Sequence, residues 1–316
     1  MIDFRYHLVS IIAVFLALAV GIVLGTTALN GPVLDSLRGN IDRLSSDKRA
    51  LEGDVQDLRG DVRTADDFAT SVGPGLVAGT LDDERVLLVV SPGTPSDLVD
   101  RLTPLLVAAG AEVTGQLRVL PALSDPASRQ LVEDLVADVL PAGVDLPDGE
   151  PVERAAAELA AALGRQPGED GIDGGEAQAV LSAFQEADLI QYTGESEELR
   201  RATAVVVLGA PAVEDPEEQE LVEQAAVLSL AGAFDDTTGG VVVAGPSGSV
   251  DDDGLVRLLR DDSGLAGRVS SVDNADRGVG LVALVQALAE QMSGRVGQYG
   301  TGAGAAGALP SAGPAS

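Results

Sequence analysis

Few side chains in this sequence are of the types that perform nucleophilic, redox or soft-metal chemistry. The chain has no cysteine, its single histidine is His7, and its two methionines are Met1 and Met292. Without cysteine there is no disulfide, thiolate metal site or cysteine nucleophile, and beyond the N-terminal region no histidine is present for a Ser-His-Asp triad. Soft copper sites are built from Cys, Met and His. We therefore predict no catalytic residue, no cofactor and no metal ligand.

Three loops lie where a ligand would bind in an open α/β sheet. Residues 91–95, 209–211 and 245–249 each follow an apolar run that is typical of a buried strand. Ligands of such folds bind outside the carboxyl ends of the strands. None of these loops has the spacing of a phosphate-binding loop or of a dinucleotide fingerprint. Two interpretations of these loops therefore remain: they form a ligand crevice, or they are plain strand-to-helix turns.

Two acidic clusters also precede predicted helices. Residues 251–253 are three consecutive aspartates, which favour an N-cap that complements the helix dipole, with a hard-cation site as the alternative. Asp273, Asn274 and Asp276 follow the last predicted strand and precede the last predicted helix. This second cluster is either a cap and turn or a loop that faces a partner protein.

The charge balance excludes one large class of partners. Basic residues number 20 against 50 acidic ones, which gives a formal net charge of -30. A negative field of this size repels nucleic acid and anionic lipid, so we predict no nucleic-acid binding. Aromatic residues make up only 3% of the chain. The core must therefore be aliphatic, which suits buried parallel strands.

The N-terminal region predicts a single membrane span. Residues 8–29 carry no charge and would reach about 33 Å as a helix, enough to cross a bilayer core. The run is longer than the apolar region of a cleaved signal peptide, which favours a retained anchor. Arg5 and His7 favour a cytoplasmic position for residues 1–7 and an extracytoplasmic position for the main domain at the plasma membrane. Within the span, small residues repeat every four positions, as in helix pairs that pack closely: Ala17, Gly21 and Gly25.

A heptad repeat over residues 33–68 predicts a coiled coil. We expect residues 31–32, a Gly-Pro pair, to break the helix before it. Apolar residues then follow one another at spacings of three and four residues in turn, and Lys48 occupies one of the positions called a in the heptad. β-Branched residues at heptad position a, together with leucine at position d, favour a parallel homodimer. Packing of this helix on the chain's own domain is the alternative. The predicted seam is Leu34, Leu37, Ile41, Leu44, Lys48, Leu51, Val55, Leu58 and Val62.

Residues 80–292 predict an extracytoplasmic α/β domain. Apolar runs at 86–90, 113–120, 204–208, 241–244 and 268–272 are typical of strands, and helical patterns lie between them at 95–109, 125–140, 151–164, 175–191, 216–233, 254–261 and 279–292. Strands that alternate with helices form a mostly parallel sheet with helices on both faces, so the predicted fold is a Rossmann-like three-layer domain. Residues 293–316 are rich in Gly, Ala and Pro and predict a disordered tail.

Two segments resemble a known family. The opening IDFRYHLVS at residues 2–10, continued by AVFLAL at 13–18, and the later VSSVDN at 269–274, followed by Gly280, are similar to the actinobacterial MctB-type copper transporter family over residues 1–292. The resemblance implies a role in copper homeostasis or efflux at the cell envelope. Relatives in this family are also associated with cell separation, in which a coiled-coil ectodomain supports septal peptidoglycan hydrolysis.

Two functions follow as expectations. By resemblance, the chain is a non-catalytic, membrane-anchored envelope protein of copper homeostasis, and copper enters as a partner only through that resemblance. The alternative is a dimeric coiled-coil scaffold that recruits or activates a peptidoglycan hydrolase or a divisome protein. The single predicted span and the scarcity of soft ligands favour the scaffold.

Overall fold

The computed structural model describes residues 3–168, 171–194, 199–213 and 215–310, with the backbone alone at residue 3 and at residues 26–35. The chain divides into two units, Met1–Thr64 and Ala65–Ser316. Helix α1 (Asp3–Val77) provides the described residues of the first unit and the start of the second. Its most apolar segment is Phe4–Gly25, which by length and composition is suited to a membrane span. The span predicted at residues 8–29 therefore overlaps this segment but begins and ends four residues later.

The predicted helix break at residues 31–32 is wrong, because α1 continues through it. A proline inside a helix removes one hydrogen bond and costs about 3 kcal/mol. Ending the helix there would require a second, unfavourable nucleation on the far side. Helix α1 extends for many turns on both sides of residues 31–32, so continuing the helix is the less costly solution.

Buried apolar runs form the sheet of the second unit. Its strands are β1 (Arg85–Val90), β2 (Glu112–Val119), β3 (Ile190–Thr193), β4 (Ala204–Leu208), β5 (Gly240–Ala244), β6 (Ser270–Val272) and β7 (Gln298–Tyr299). Within the described residues the order is β3-β2-β1-β4-β5-β6-β7, and only β3 runs antiparallel to its neighbour. The predicted mostly parallel α/β sheet is confirmed.

Helices cover both faces of the sheet. They are α2 (Ser96–Ala108), α3 (Arg129–Asp138), α4 (Pro151–Leu163), α5 (Gly174–Glu186), α6 (Glu218–Thr237), α7 (Leu255–Asp261), α8 (Ser263–Ala266) and α9 (Gly278–Met292). Alternate residues of β1 belong to two hydrophobic clusters, Leu87 and Val89 to the one with α3–α7 and Leu88 and Val90 to the one with α2, α9 and the end of α1. Because successive side chains of a strand point to opposite faces, the two clusters lie on opposite sides of the sheet.

Both edge strands of the sheet were missed by the sequence patterns. The helix predicted at 175–191 ends at Glu186, and residues 190–193 form β3 instead. Asp188 takes a left-handed conformation with φ of 54°, which ends a helix. The predicted disordered tail is also wrong in part, since Gln298 and Tyr299 pair with β6. Residues 311–316 of that tail lie outside the described residues.

Candidate functional site

The strand order creates one crevice of the kind that binds ligands in α/β folds. β1 and β4 are neighbours, but the chain leaves β1 toward β2 and leaves β4 toward β5. Loops that diverge at such a switch point leave a gap at the carboxyl ends of the strands. A cavity of about 180 Å³ lies there, walled by residues 91–93, by residues of the loop after β4 and by the first turns of α6. Two of the three predicted loops therefore meet, whereas residues 245–249 do not line this cavity.

The loop after β1 is held rigidly by its own hydroxyl groups. Thr94 Oγ1 lies 2.8 Å from the carbonyl oxygen of Ser91 and 3.0 Å from that of Leu208. Ser91 Oγ lies 3.1 Å from the same Thr94 hydroxyl. Gly93 has φ of 74° and lies close to Ala210, since a Cβ on Gly93 would be 3.3 Å from Cβ of Ala210. Both hydroxyls thus make hydrogen bonds within the loop and fix the shape of this wall of the crevice.

The wall that α6 contributes is rich in hydrogen-bond acceptors. Glu220 Oε2 accepts the backbone N–H of Glu217 at 2.9 Å, and Glu223 Oε1 accepts from Gln219 at 3.3 Å. Gln224 Oε1 is buried without a hydrogen-bond partner in the described part of the chain. A buried carbonyl oxygen without a donor is costly. The wall therefore favours a group that donates hydrogen bonds and carries positive charge.

The size and charge of the crevice limit what it can hold. No Lys, Arg or His is among the described residues that line it, so it offers no cationic side chain to a phosphate or carboxylate. Sites for drug-sized molecules usually measure about 300–1,000 Å³, and this cavity is smaller. One ammonium-bearing side chain or a small amine matches both its volume and its acceptors. The α6 residues were not predicted as lining residues, because only the packing of α6 decides which of its faces meets the crevice.

Asp273 belongs to a buried structural cluster. Its carboxylate is 1% exposed and lies 2.8 Å from Nη1 of Arg260, itself 5% exposed. The same carboxylate accepts the backbone N–H groups of Thr301 at 2.8 Å and Gly302 at 3.1 Å. Arg260 also donates to the carbonyl oxygens of Tyr299 and Ala303, at 2.8 and 2.7 Å. The predicted partner-facing role of Asp273 is therefore wrong, and the residue fixes the C-terminal segment to the sheet.

The neighbours of Asp273 are also occupied within the domain. Asn274 is 3% exposed, and its backbone approaches α9 so closely that a Cβ on Gly280 would lie 1.9 Å from its carbonyl oxygen. Asp276 Oδ1 accepts both the backbone N–H and the hydroxyl of Ser247, at 2.6 and 2.8 Å. The cap expected as the alternative does not form, because the first N–H of α9 donates to Asp66 Oδ1 at 2.6 Å. The expected turn is present, since the backbone N–H of Arg277 donates to the carbonyl oxygen of Asn274 at 2.9 Å. These contacts fix the loop within the domain. Asn274 Oδ1 is buried without a hydrogen-bond partner in the described part of the chain, and the side chain of Asp276 is 34% exposed.

The aspartates at 251–253 do not cap α7. The N-cap of this helix is Gly254, which makes no side-chain cap. Asp253 takes a left-handed conformation with φ of 64°, and the three carboxylates lie with Asp215 along an open surface. Within the described residues, no group of three or more His, Asp or Glu side chains has a geometry that could hold a metal ion. The turn geometry displaces these aspartates from the helix end by at least one residue.

The two described side chains that could act as soft metal ligands, those of Met292 and His7, do not lie in a metal site. Met292, the last residue of α9, lies against the start of β5, where a Cβ on Gly239 would be 2.8 Å from its terminal carbon. His7 lies in the exposed N-terminal part of α1. Each thus stands without a second soft ligand beside it among the described residues of its unit.

One buried ionisable residue was missed by the sequence patterns. Glu158 on α4 is fully buried, and neither of its carboxylate oxygens has a hydrogen-bond partner in the described part of the chain. Burial raises the pKa of Glu158 to about 7 from an ordinary value of 4.5, and Arg154 partly opposes this effect. Its position within the apolar run AAAELAAAL of α4 is the only sequence signal that marks it.

The predicted seam residues form an apolar stripe along α1. The described seam side chains are Leu37, Ile41, Leu44, Lys48, Leu51, Val55, Leu58 and Val62; Leu34 lies outside the described side chains. Their apolar members range from 40% exposed at Val62 to 71% at Leu44. Lys48 Nζ lies 3.4 Å from Glu52 Oε1 of the same helix. Leucines at heptad spacing are usually buried against a second helix, and an exposed apolar stripe of this kind is typical of an interaction surface. The coiled coil stays a prediction, and this stripe is the surface that it would use.

The small residues of the apolar helix segment also share one face. Ala17, Gly21 and Gly25 are four residues apart on α1, which aligns them along the helix. A Cβ added at either glycine would have no atom within 4 Å. The face is therefore available for close packing of a second helix, which stays a prediction.

The chain matches the model of one protein family along residues 1–310, and that family is described as "Copper transport outer membrane protein, MctB". The chain belongs to the MctB family. The proteins named "Copper transporter MctB" from Mycobacterium tuberculosis (strain ATCC 25618 / H37Rv) and Mycobacterium bovis (strain ATCC BAA-935 / AF2122/97) are each 30% identical over 318 residues, which cover 96% of this chain and 98% of the relative. The protein of that name from Mycobacterium leprae (strain TN) is 29% identical over 314 residues, with the same coverage of both chains. The resemblance inferred from the two sequence segments is confirmed.

The two segments that carry the MctB resemblance have different structural roles. The first begins the apolar segment of α1. The second, VSSVDN, contains β6 and leads into the buried loop of Asp273 and Asn274. Gly280 is the glycine that this loop requires, because any side chain there would overlap the backbone of Asn274. The second MctB segment therefore contributes to the packing of β6 against α9 and the C-terminal segment.

Proposed function

We propose that this protein is a membrane-anchored, non-catalytic component of the cell envelope that contributes to copper homeostasis. The observation that carries the proposal is the family match, which includes both the apolar helix and the α/β unit. The relatives over the same length are named copper transporters. We place the apolar helix in the plasma membrane, with the N-terminus in the cytoplasm and the α/β unit outside.

The protein is proposed to act on copper through other proteins. Copper is its cargo or signal, and a soft cation requires Cys, Met or His ligands. The full sequence supplies no cysteine, one histidine and two methionines, and Met292 packs against the start of β5. So small a number of soft ligands supports a role as a scaffold or an accessory subunit better than a copper-conducting path within this chain.

Deletion of the gene tests this function directly. We expect the deletion strain to lose copper tolerance and to regain it with the wild-type chain. A His7→Ala, Met292→Leu variant should restore tolerance equally well, because it removes two soft ligands while Leu conserves the volume of Met. A chain whose first 30 residues are replaced by a cleavable signal peptide should fail, since it is released from the membrane. Unchanged tolerance together with chained, unseparated cells would instead support recruitment of a cell-separation partner.

A second proposal concerns assembly, and the exposed stripe of α1 favours it. We propose that two copies pair in parallel along this stripe, with the small residues of the apolar segment packed together in the membrane. Lys48 then lies mid-seam, where a charged a residue lowers stability but penalises other registers.

Because the chain has no cysteine, one introduced residue reports this pairing. Leu44→Cys should form a disulfide between two copies under mild oxidation of native membranes. Ser46→Cys is the matched control, since heptad position f points away from the seam. Equal cross-linking of the two variants, or none with Leu44→Cys, would contradict the parallel pair.

A further inference from the structure

The helices α4 and α6 border a long groove that the copper assignment does not use. One cavity of about 720 Å³ and a second of about 330 Å³ lie along them. The two cavities share the lining residues Glu153, Ala225 and Ser229, so they adjoin each other along α4 and α6, and we call the two together the α4–α6 groove. On α6 it runs from Val222 to Thr237, a distance of about 22 Å at 1.5 Å per residue.

The floor of the α4–α6 groove is apolar and built from small residues. Ala157 and Ala161 of α4 and Ala225 and Gly232 of α6 line it. Small side chains let another helix approach closely, because the distance between helix axes depends on the side chains at the contact. Leu228 lies beside them and adds apolar contact area. A groove of this length and polarity matches the apolar face of one amphipathic helix.

The rim of the groove is acidic. Four carboxylates line the larger cavity: Asp145, Glu153, Asp236 and Asp262. The arginine of the larger cavity, Arg268, already pairs with Asp236 and also lies 3.0 Å from Asp235. The arginine of the smaller cavity, Arg129, pairs with Glu150. The excess negative charge attracts a cationic partner and repels nucleic acid and anionic lipid.

The geometry points to the α4–α6 groove as the docking site for a cationic amphipathic helix of another protein, about 15 residues long. Its apolar stripe lies on the alanine and glycine floor, and its lysines or arginines meet the carboxylates of the rim. A second copy of this chain does not match this description, because 50 acidic residues stand against 20 basic ones in its sequence. This docking site is independent of the proposed role in copper homeostasis.

Photo-cross-linking locates the contact as well as detecting it. The probe is a synthetic 15-residue Leu/Lys peptide with its leucines on one helical face and one diazirine-bearing leucine among them. It is added to the full chain in phosphatidylcholine nanodiscs, and cross-linked residues are identified by mass spectrometry. We expect saturable cross-links within Pro151–Leu163 and Glu218–Thr237. A scrambled peptide of the same composition and a Leu/Glu peptide should give at least tenfold less product at these sites.

Two pairs of variants separate groove binding from general charge attraction. Ala161→Phe fills the floor and should lower the yield at least tenfold, whereas Ala137→Phe on the exposed face of α3 should leave it unchanged. Asp145→Lys reverses one rim charge and should lower the yield at least threefold. Asp100→Lys changes the net charge equally at an exposed site on α2 and should have less than a twofold effect.

The remaining outcomes overturn the proposal. Equal losses for both lysine variants together with no effect of Ala161→Phe mean that the peptide binds only the general negative field. Stronger cross-linking by the Leu/Glu peptide contradicts the charge argument. A change in the number of copies per nanodisc with Ala161→Phe means that a second copy of the chain fills the groove.

Discussion

The buried carboxyl group of Glu158 makes the stability of the α/β unit depend on pH in a defined direction. Burial raises the pKa of Glu158 to about 7, from 4.5. As pH rises from 4.5 to 7, the unfolded chain loses this proton while the folded chain keeps it, so the free energy of unfolding falls. Each unit of difference in pKa between the folded and unfolded chain corresponds to about 1.4 kcal/mol. Above pH 7 the ionisation of Glu158 therefore lowers the free energy of unfolding by about 3 kcal/mol in all.

Replacement of Glu158 by glutamine removes the titration but keeps the shape of the side chain. At pH 5 the variant and the wild type should differ little, because an amide and a neutral carboxyl group have similar needs for hydrogen bonds. At pH 8 the variant should be more stable, and the difference between the two proteins should grow by about 2–3 kcal/mol from pH 5 to pH 8. The measurement is urea denaturation of residues 65–316, followed by circular dichroism.

A matched control isolates the effect of burial. Glu133→Gln makes the same chemical change at an exposed position of α3 and should follow the wild type at both pH values. If the stability difference between Glu158→Gln and the wild type is the same at pH 5 and pH 8, then Glu158 does not keep its proton in the folded protein. A difference that shrinks at pH 8 would contradict the sign of the argument.

Three further changes test other parts of the structure. Asp273→Ala leaves a buried guanidinium without its carboxylate and should cost about 3–5 kcal/mol in urea denaturation. Gly280→Ala should lower the free energy of unfolding by about 1–3 kcal/mol, because the added methyl group would overlap Asn274. Gly75→Ala, in open space on α1, should leave the stability unchanged or raise it slightly. Lys48→Ile should raise the melting temperature of the proposed coiled coil and broaden its oligomer distribution in light scattering.

The sequence predicts the centre of the sheet well and its edges poorly. Central strands such as β1 and β4 are buried on both faces, so they are continuous apolar runs. β3 is a four-residue edge strand with exposed positions, and β7 has two residues in a Gly-rich segment. Their pairing depends on partners distant in sequence, which periodicity does not register.

The candidate site was predictable only in its loops. The rule that ligands bind at the carboxyl ends of strands located residues 91–95 and 209–211. The acceptors on α6, including Gln224, depend on how that helix is rotated against the sheet. The pairing of Arg260 with Asp273 likewise joins residues whose side chains meet only after folding, so charge patterns along the chain did not reveal it.

The C-terminal segment held by Arg260 has a consequence for the making of this protein. β7 covers the outer edge of β6, and the carbonyl oxygens that secure it belong to Tyr299 and Ala303. A ribosome adds these residues after those of β6, so every nascent chain passes through an interval in which the β6 edge is open to other strands. A stop codon that removes residues 293–316 would make that interval permanent and expose the edge to aggregation.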